Sequence, residues 1–293
     1  MFLIALTLIL SSYLSGELYQ NSNVYTSSNR IGLGGAGYLF PSPISLKKNP
    51  AMNNLNRQFI TSIIRYPASI TSSSLGLNLP INNFIFTPSI KYVSYGVFKG
   101  YDNQANYIGN YSSYETWVGA TISKKLLNLP VYLGTHLNWH RSVYSDFLIN
   151  SFSLDVGIKV FLNKADNAFG LSLHQIGSSR DRNMLVPELV LSGSKKLEYL
   201  PAVIYLDCFI NNRIKKNDLF LGSIFKINKK LSFMIGSSTR KIDQNTSEKL
   251  FKSILGATGF GALYNVNNIV IQYGVYVYGT GAQLYGLDIG MKF

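Results

Sequence analysis

In RIGLGGAGYLF, residues 30–40, Gly32, Gly34 and Gly37 have the spacing G-x-G-x-x-G. In nucleotide-binding proteins this spacing joins a strand to a helix, and an acidic residue about 20 positions later binds the ribose. Here Pro41 and Pro43 stand where that helix would continue, and proline inside a helix costs roughly 3 kcal/mol. No Asp or Glu occurs between residues 17 and 102. The sequence therefore argues against a dinucleotide site at these glycines.

The histidines His136 and His140 are four residues apart, with Asn138 between them and Ser142 after them. At a strand rise of about 3.3 Å per residue, their Cα atoms would be about 13 Å apart, too far for one tetrahedral zinc site. A hydrolase would pair His140 with Ser142, but the sequence identifies no third group to orient the histidine. We therefore expect hydrogen bonding from these side chains, and neither catalysis nor a metal or cofactor site.

The composition favours strands over helices. Charged residues make up 14% of the 293 residues, against about 25% in an average protein. Gly, Tyr and Phe are abundant, while the strong helix formers Ala and Glu are not. The net charge of +13 comes from scattered Lys and Arg residues without a basic helix, so an anionic lipid surface is at least as natural a partner as nucleic acid. The single Cys208 excludes an internal disulfide.

The first sixteen residues, MFLIALTLILSSYLSG, are an apolar run followed by small and polar residues. This run is shorter than the roughly 20 residues that a membrane-spanning helix needs. It has the features of a secretory signal peptide, although a basic start is missing. We predict that residues 1–16 are a signal peptide and that the protein is exported.

Hydrophobicity alternates with period 2 along most of the remaining chain, as in SFSLDVGIKVFL at 151–162. Such alternation indicates half-exposed strands. Fourteen segments show it: 58–66, 73–81, 90–99, 113–124, 131–143, 151–162, 167–176, 188–197, 201–211, 217–227, 230–241, 251–264, 267–279 and 283–293. Most are longer than the five or six residues of an average strand in a soluble sandwich, and near the 9–11 that cross a bilayer. The sequence predicts an all-β, antiparallel transmembrane barrel of fourteen strands, or a neighbouring even number, over residues 58–293.

Ionisable side chains occupy the polar face of these strands, which in a membrane barrel is the lumen. They carry both signs, and an enclosed charge without a partner is costly. We expect them to pair with one another or with a segment inside the barrel rather than to bind a polar solute. The lumen cluster so predicted is Glu115, His136, His140, Asp155, Lys159, Asp207 and Asp288.

Residues 17–57 do not alternate and are rich in Gly, Pro, Ser and Asn. Gly34 and Gly35 allow close backbone approach, and Asn49-Pro50 favours a rigid turn. We predict a hatch, or plug, folded into the lumen, with a flexible leader as the alternative.

The stretch GLGGA followed by NPA resembles the N-terminal signature of the FadL-type long-chain fatty acid porins and of the related PorV/PorQ family. Residues 95–115 and 186–201 and the closing tyrosine-rich hairpin resemble PorQ-like members more narrowly. The signature residues are Gly34, Gly35, Ala36, Asn49, Pro50 and Ala51. The chain lacks the acidic residues that such proteins commonly carry between the two motifs. The terminal Phe293 resembles the recognition signal for outer-membrane barrel assembly.

This resemblance implies a fourteen-stranded barrel with a hatch in the bacterial outer membrane. It further implies a non-enzymatic component of the type IX secretion and attachment complex, with PorV-, PorU- and PorZ-like proteins and outer-membrane lipid as partners. The alternative is a FadL-type transporter of long-chain fatty acids or other hydrophobic small molecules. A third hypothesis, an envelope enzyme, predicts hydrolysis that a His140→Ala variant loses.

Overall fold

The computed structural model describes residues 25–44, 48–51, 56–102, 104–126, 129–144, 147–162, 167–179, 187–211, 216–240, 256–278 and 282–293. The predicted signal peptide lies outside these residues. In the part of the chain that the structure describes, no helix is both long and apolar enough to cross a membrane.

Fourteen antiparallel strands form a single closed barrel, in which β1 pairs with both β2 and β14. Every other strand pairs with its neighbours in sequence. The predicted fold class is therefore confirmed. The strands are β1 Gln58–Arg65, β2 Thr71–Ile81, β3 Phe84–Tyr101, β4 Tyr107–Lys125, β5 Val131–Tyr144, β6 Phe147–Phe161, β7 Ala168–Ser179, β8 Glu188–Lys196, β9 Ala202–Asn211, β10 Lys216–Lys226, β11 Leu231–Ser238, β12 Thr258–Val266, β13 Ile269–Val277 and β14 Gln283–Lys292.

Three strand boundaries differ markedly from the predicted ones: β3 and β4 begin earlier than predicted, β4 at Tyr107 instead of residue 113, and β12 begins later. β3 is predicted over 90–99 but begins at Phe84, and it includes Pro88, which lies opposite Ala120 of β4. Beyond Ser94 a register shift against β4 interrupts the alternation, but the strand ends at Tyr101, close to its predicted end. The strand expected over 251–264 is observed from Thr258, and residues 251–255 of that prediction lie outside the described part.

The outer wall is apolar and exposed, as in Leu137, which is 64% exposed, and Phe152, which is 66% exposed. Along β14 the burial pattern alternates strictly between exposed and buried positions. A water-soluble protein rarely exposes a continuous apolar surface of this size, whereas a membrane barrel turns such a surface to lipid. The wall of this barrel is therefore built to contact acyl chains.

The two rims of the barrel differ in their connections. β1 begins and β14 ends at the same rim, here called the terminal rim, where residues 82–83 and 267–268 form two-residue turns. At the opposite rim, residues 239–257 connect β11 to β12. Outer-membrane barrels have short turns on the periplasmic side and longer loops outside. The terminal rim is therefore the periplasmic one in such a membrane.

The N-terminal segment, defined here as the described residues 25–44 and 48–51, is almost entirely buried. It contains one short helix, α1, Ser28–Gly32. α1 contacts β11, β12, β13 and β14. A 3-10 turn at Pro67–Ser69, with no buried residue, connects β1 to β2. The barrel therefore encloses polypeptide that precedes its first strand.

Candidate functional site in the barrel lumen

Two carboxylates of the barrel wall bind backbone amides of the N-terminal segment. Both side-chain oxygens of Asp288 accept from the Ser28 amide at 3.0 Å. Oδ2 of Asp207 accepts from the amides of Gly37 at 2.7 Å and Tyr38 at 3.1 Å. Hydrogen bonds to an ionised acceptor are worth about twice as much as neutral ones. The segment has no acid between residues 17 and 102 to supply such contacts, and the wall supplies them instead.

A belt of wall glycines lets the N-terminal segment touch the backbone of the barrel. A Cβ atom at Gly236 would lie 1.9 Å from the Leu33 carbonyl oxygen, and one at Gly134 would lie 2.1 Å from that of Pro50. Contacts this short do not occur in proteins, so these positions exclude every side chain. Eight glycines on eight strands would meet the segment below 3.0 Å: Gly76, Gly134, Gly157, Gly170, Gly236, Gly259, Gly274 and Gly286.

The glycines that follow α1 form a turn, and two of them, Gly34 and Gly37, belong to the nucleotide-like motif. Gly34, Gly35 and Gly37 have φ values of 64°, 99° and 94°, which residues with a Cβ rarely adopt. This turn brings the Gly35 carbonyl to Arg30, whose Nη2 and Nε donate to it at 2.6 and 3.2 Å. The Arg30 guanidinium also lies 4.6 Å from the Tyr38 ring centroid. The motif thus closes a compact, buried loop on itself.

The NPA motif contacts β6 and β7, on the side of the barrel away from the strands that α1 contacts. Asn49 donates from Nδ2 to the carbonyls of Ile158 at 3.0 Å and Leu171 at 3.4 Å. Its Oδ1 accepts from the Ala51 amide at 2.9 Å, which fixes the turn at Pro50. The side chain therefore ties the end of the segment to both β6 and β7.

Two buried lysines, one in the N-terminal segment and one on the wall, contact polar atoms of the segment. Lys159 donates from Nζ to the Leu39 carbonyl at 3.1 Å. The Lys48 Nζ lies 3.4 Å from Asn29 Oδ1 and 5.6 Å from the Phe40 ring centroid. Burial, and then the charge of Arg30, lower the pKa of Lys48 to about 7, and the opposing effect of the Asp288 charge is smaller. The Lys48 ammonium group therefore gains and loses its proton near neutral pH.

The predicted lumen residues all lie on the inner face, but in separate groups. Glu115 accepts from the hydroxyls of Tyr95, at 3.0 Å, and Tyr144, and lies 3.5 Å from Nε2 of His140. His140 stacks on Trp117 with ring centroids 4.5 Å apart. This aromatic and acidic group faces the lumen from β3, β4 and β5. It lies apart from the hydrogen bonds that hold the N-terminal segment.

His140 also contacts two serines, as the hydrolase hypothesis would require. Its Nε2 lies 3.1 Å from Ser142 Oγ and its Nδ1 lies 3.3 Å from Ser151 Oγ. The acid Glu115 approaches Nε2, the edge that contacts Ser142, instead of the far edge that a triad needs. The arrangement is a hydrogen-bonded network without the geometry of a nucleophile and base.

The third histidine, His174, stands alone in the sequence, but in the structure it contacts a serine and an aspartate. Its Nε2 is 2.9 Å from Ser172 Oγ and its Nδ1 is 3.0 Å from Asp155. This is the order of a serine hydrolase triad, but the relative exposures of 1%, 0% and 6% leave no access for a substrate. Asp155 also accepts from the Gln175 amide at 2.7 Å. The group therefore braces the register shift between β6 and β7.

His136 lies 2.9 Å from Thr121 on β4, through Nδ1. Within the described residues, no three His, Cys, Asp or Glu side chains come together as metal ligands.

Ala36 is buried against Gly222. Phe293 follows β14, is 59% exposed, and donates its amide to the Arg57 carbonyl. Its role in barrel assembly stays a prediction.

Apolar side chains are concentrated on one half of the lumen wall, where they lie among buried polar residues such as Asp207, Gln272 and Asp288. Buried inward side chains of β8–β14 and β1 form a continuous cluster with Tyr25, Ile31, Leu33 and Tyr38 of the N-terminal segment. The opposite half, on β2–β7, presents mainly Ser, Thr, Asn and His. The wall residues of the apolar seam are Val190, Val203, Tyr205, Phe209, Phe220, Ile224, Met234, Leu263, Tyr276, Leu284 and Ile64.

Comparison with known proteins identifies the fold by structure alone. No family model matches the sequence, and no curated protein is significantly similar to it. A TodX monoaromatic hydrocarbon channel mutant is 11% identical, with a TM-score of 0.58, and covers 91% of this chain and 98% of its own. A Pseudomonas aeruginosa FadL homologue is also 11% identical, with a TM-score of 0.54 over 92% of this chain and 98% of its own.

A third similar structure is the Acinetobacter baumannii outer membrane protein Omp33. It is 12% identical, with a TM-score of 0.50 over 82% of this chain and 100% of its own. These likenesses cover nearly the whole barrel at low identity. The chain has the fold of FadL-like outer-membrane barrels.

Proposed function

We propose that this protein moves small hydrophobic molecules across the bacterial outer membrane. The observation that carries the proposal is the apolar seam between the N-terminal segment and the wall at β8–β14. The interior of a transmembrane barrel is ordinarily polar, and a polar solute would gain nothing from such a surface. An apolar solute would lose contact with water along it.

In this proposal the N-terminal segment is the hatch. It is held by hydrogen bonds from its backbone to Asp207 and Asp288, by the side chain of Asn49, and by apolar packing against the seam. Such contacts can break and reform, whereas the barrel strands are paired on both sides along their length. Movement of the segment would uncover Phe209, Phe220 and the rest of the seam. The TodX hydrocarbon channel and the FadL homologue, which share the fold, make an apolar solute the first class to test.

The test is uptake of radiolabelled oleate and toluene into proteoliposomes that contain the purified barrel. Phe220→Gln places an amide in the seam, and we expect it to reduce uptake of both solutes. Ser123→Gln, on the polar half of the lumen, is the matched control and should leave uptake unchanged. Absence of uptake by the wild type, or equal loss in both variants, would refute the proposal.

A second candidate is a component of a secretion and attachment complex with PorV-, PorU- and PorZ-like partners. The observation that favours it is the β3–β4 hairpin, whose residues 96–101 and 107–112 extend beyond the pairings with β2 and β5. Val97 is 70% exposed and Ile108 is 68% exposed on this extension. Purification in mild detergent, with and without a shortened hairpin, would test this function. Loss of a secretion-system protein with the shortened hairpin supports it, and co-purification of lipid alone argues against it.

A further inference from the structure

The lipid-facing wall carries an apolar groove across β4–β8. Its volume is about 480 Å³. Its floor is the wall backbone at Gly134, Gly157 and Ser172, where the side chains are absent or point inward. Two outward rows form its sides: Leu133, Ile158 and Leu171 on one, and Ile122, Thr135, Val156, Leu173 and Leu189 on the other. Because adjacent strands are about 4.8 Å apart, a groove across five strands is about 19 Å long.

The groove runs obliquely from the terminal rim toward the middle of the bilayer. At its β4 end, Lys124 is next to the last residue of the strand, Lys125. Lys124 pairs with Leu133, and that row continues through Ile158 and Leu171 to Leu191, five residues before the end of β8. A chain in the groove would begin at the membrane surface and end among the acyl tails.

Positive charge lies where the groove reaches the rim. Lys124 lines the groove and its Nζ lies 4.6 Å from the Phe84 ring centroid. Among the described residues in the turns and last two strand positions of this rim, Glu198 is the only acid. The same positions hold nine cations: Arg57, Lys124, Lys125, Lys195, Lys196, Lys226, Lys229, Lys230 and Lys292. Basic residues at a membrane surface attract anionic headgroups, each by about 1 kcal/mol.

We propose that this groove is a binding site for one anionic phospholipid of the periplasmic leaflet. The phosphate lies at Lys124, and one acyl chain follows Leu133, Ile158 and Leu171 toward the bilayer centre. Thr135 and Val156 are smaller than the side chains around them and leave room for that chain. The site faces the membrane, so it does not depend on the proposed transport through the lumen.

Native mass spectrometry of the detergent-solubilised barrel tests the site. Dioleoylphosphatidylglycerol is the probe, and dioleoylphosphatidylcholine, with the same acyl chains, is its neutral control. We expect the wild type to bind one molecule of the anionic lipid with clear preference. Lys124→Gln should weaken that binding about tenfold through loss of one charge-assisted contact. Lys226→Gln, at the same rim on β10, should leave it unchanged.

A second variant tests the groove itself. Val156→Trp fills the space between the two rows and should abolish binding of both lipids, whereas Ile235→Trp, outward on β11, should not. A shift between heated and unheated samples in gel electrophoresis verifies folding of each variant. Equal affinity of the wild type for both lipids would overturn the proposal. So would equal weakening by Lys124→Gln and Lys226→Gln, or retention of the lipid by folded Val156→Trp.

Discussion

Substitution of Gly236 by alanine directly tests how tightly the N-terminal segment fits the wall. The new Cβ would lie 1.9 Å from the Leu33 carbonyl oxygen and 2.2 Å from its carbonyl carbon. Gly236 is paired with Gly222 on one side and Gly259 on the other, so the wall is held and Leu33 must move. Restoring ordinary contact requires a shift of about 1.5 Å, and overpacking of this kind costs roughly 1–3 kcal/mol.

The overpacking raises the free energy of the state in which the segment contacts the wall, and it leaves the state with a displaced segment unchanged. If displacement of the segment opens the barrel, a penalty of 1–3 kcal/mol should raise the open fraction by about 5- to 150-fold, since 1.4 kcal/mol corresponds to a factor of ten. Single-channel recording in planar bilayers measures this fraction. Gly193→Ala is the matched control, because the nearest atom to its new Cβ, the Leu206 carbonyl oxygen, is 4.0 Å away. Equal open fractions in Gly236→Ala, Gly193→Ala and the wild type would refute the reasoning.

Three further predictions concern individual lumen side chains. Asp288→Ala removes the acceptor of the Ser28 amide and should accelerate hydrogen exchange at that amide, which mass spectrometry of the folded barrel can measure against Asp288→Glu. Lys48 has a pKa of about 7 in the fold and near 10.5 when unfolded, so the unfolded chain binds more protons between these values. The urea midpoint should therefore rise from pH 7 to pH 9.5 through this group, and Lys48→Met should flatten that rise. His140→Ala should leave ester hydrolysis at the background that the wild type also shows, and an activity lost in this variant would establish an enzyme.

The barrel could be predicted because successive residues of a membrane strand face lipid and lumen in turn, so their polarity alternates. In β6, Phe152, Leu154 and Val156 face outward, and Ser151 and Asp155 face the lumen, as the alternation indicates. Lipid and lumen differ so strongly in polarity that each side chain reports its side. The alternation is interrupted at the register shift after Ser94, and the predicted segments missed the first residues of β3 and β4.

Contacts inside the lumen could not be predicted, because they join residues that are distant in sequence. Ser28 and Asp288 are 260 residues apart, and nothing local to either indicates the other. His174 meets Asp155 through the register shift between β6 and β7, which the alternation does not reveal. The sequence indicates which charged residues face the lumen and therefore need partners. It does not indicate which residue is the partner of each.

The glycine belt and the N-terminal segment are best understood as one structure. Glycine in a strand interior costs roughly 0.5–1 kcal/mol relative to alanine, so eight such positions weaken the empty wall appreciably. Backbone contacts such as that of Gly134 with Pro50 can offset this cost only while the segment is in place. A barrel without its segment would therefore be wider inside and also less stable. Any opening of the lumen must then be brief or stabilised by whatever fills the apolar seam, which is why we propose an apolar solute as the ligand of the open state.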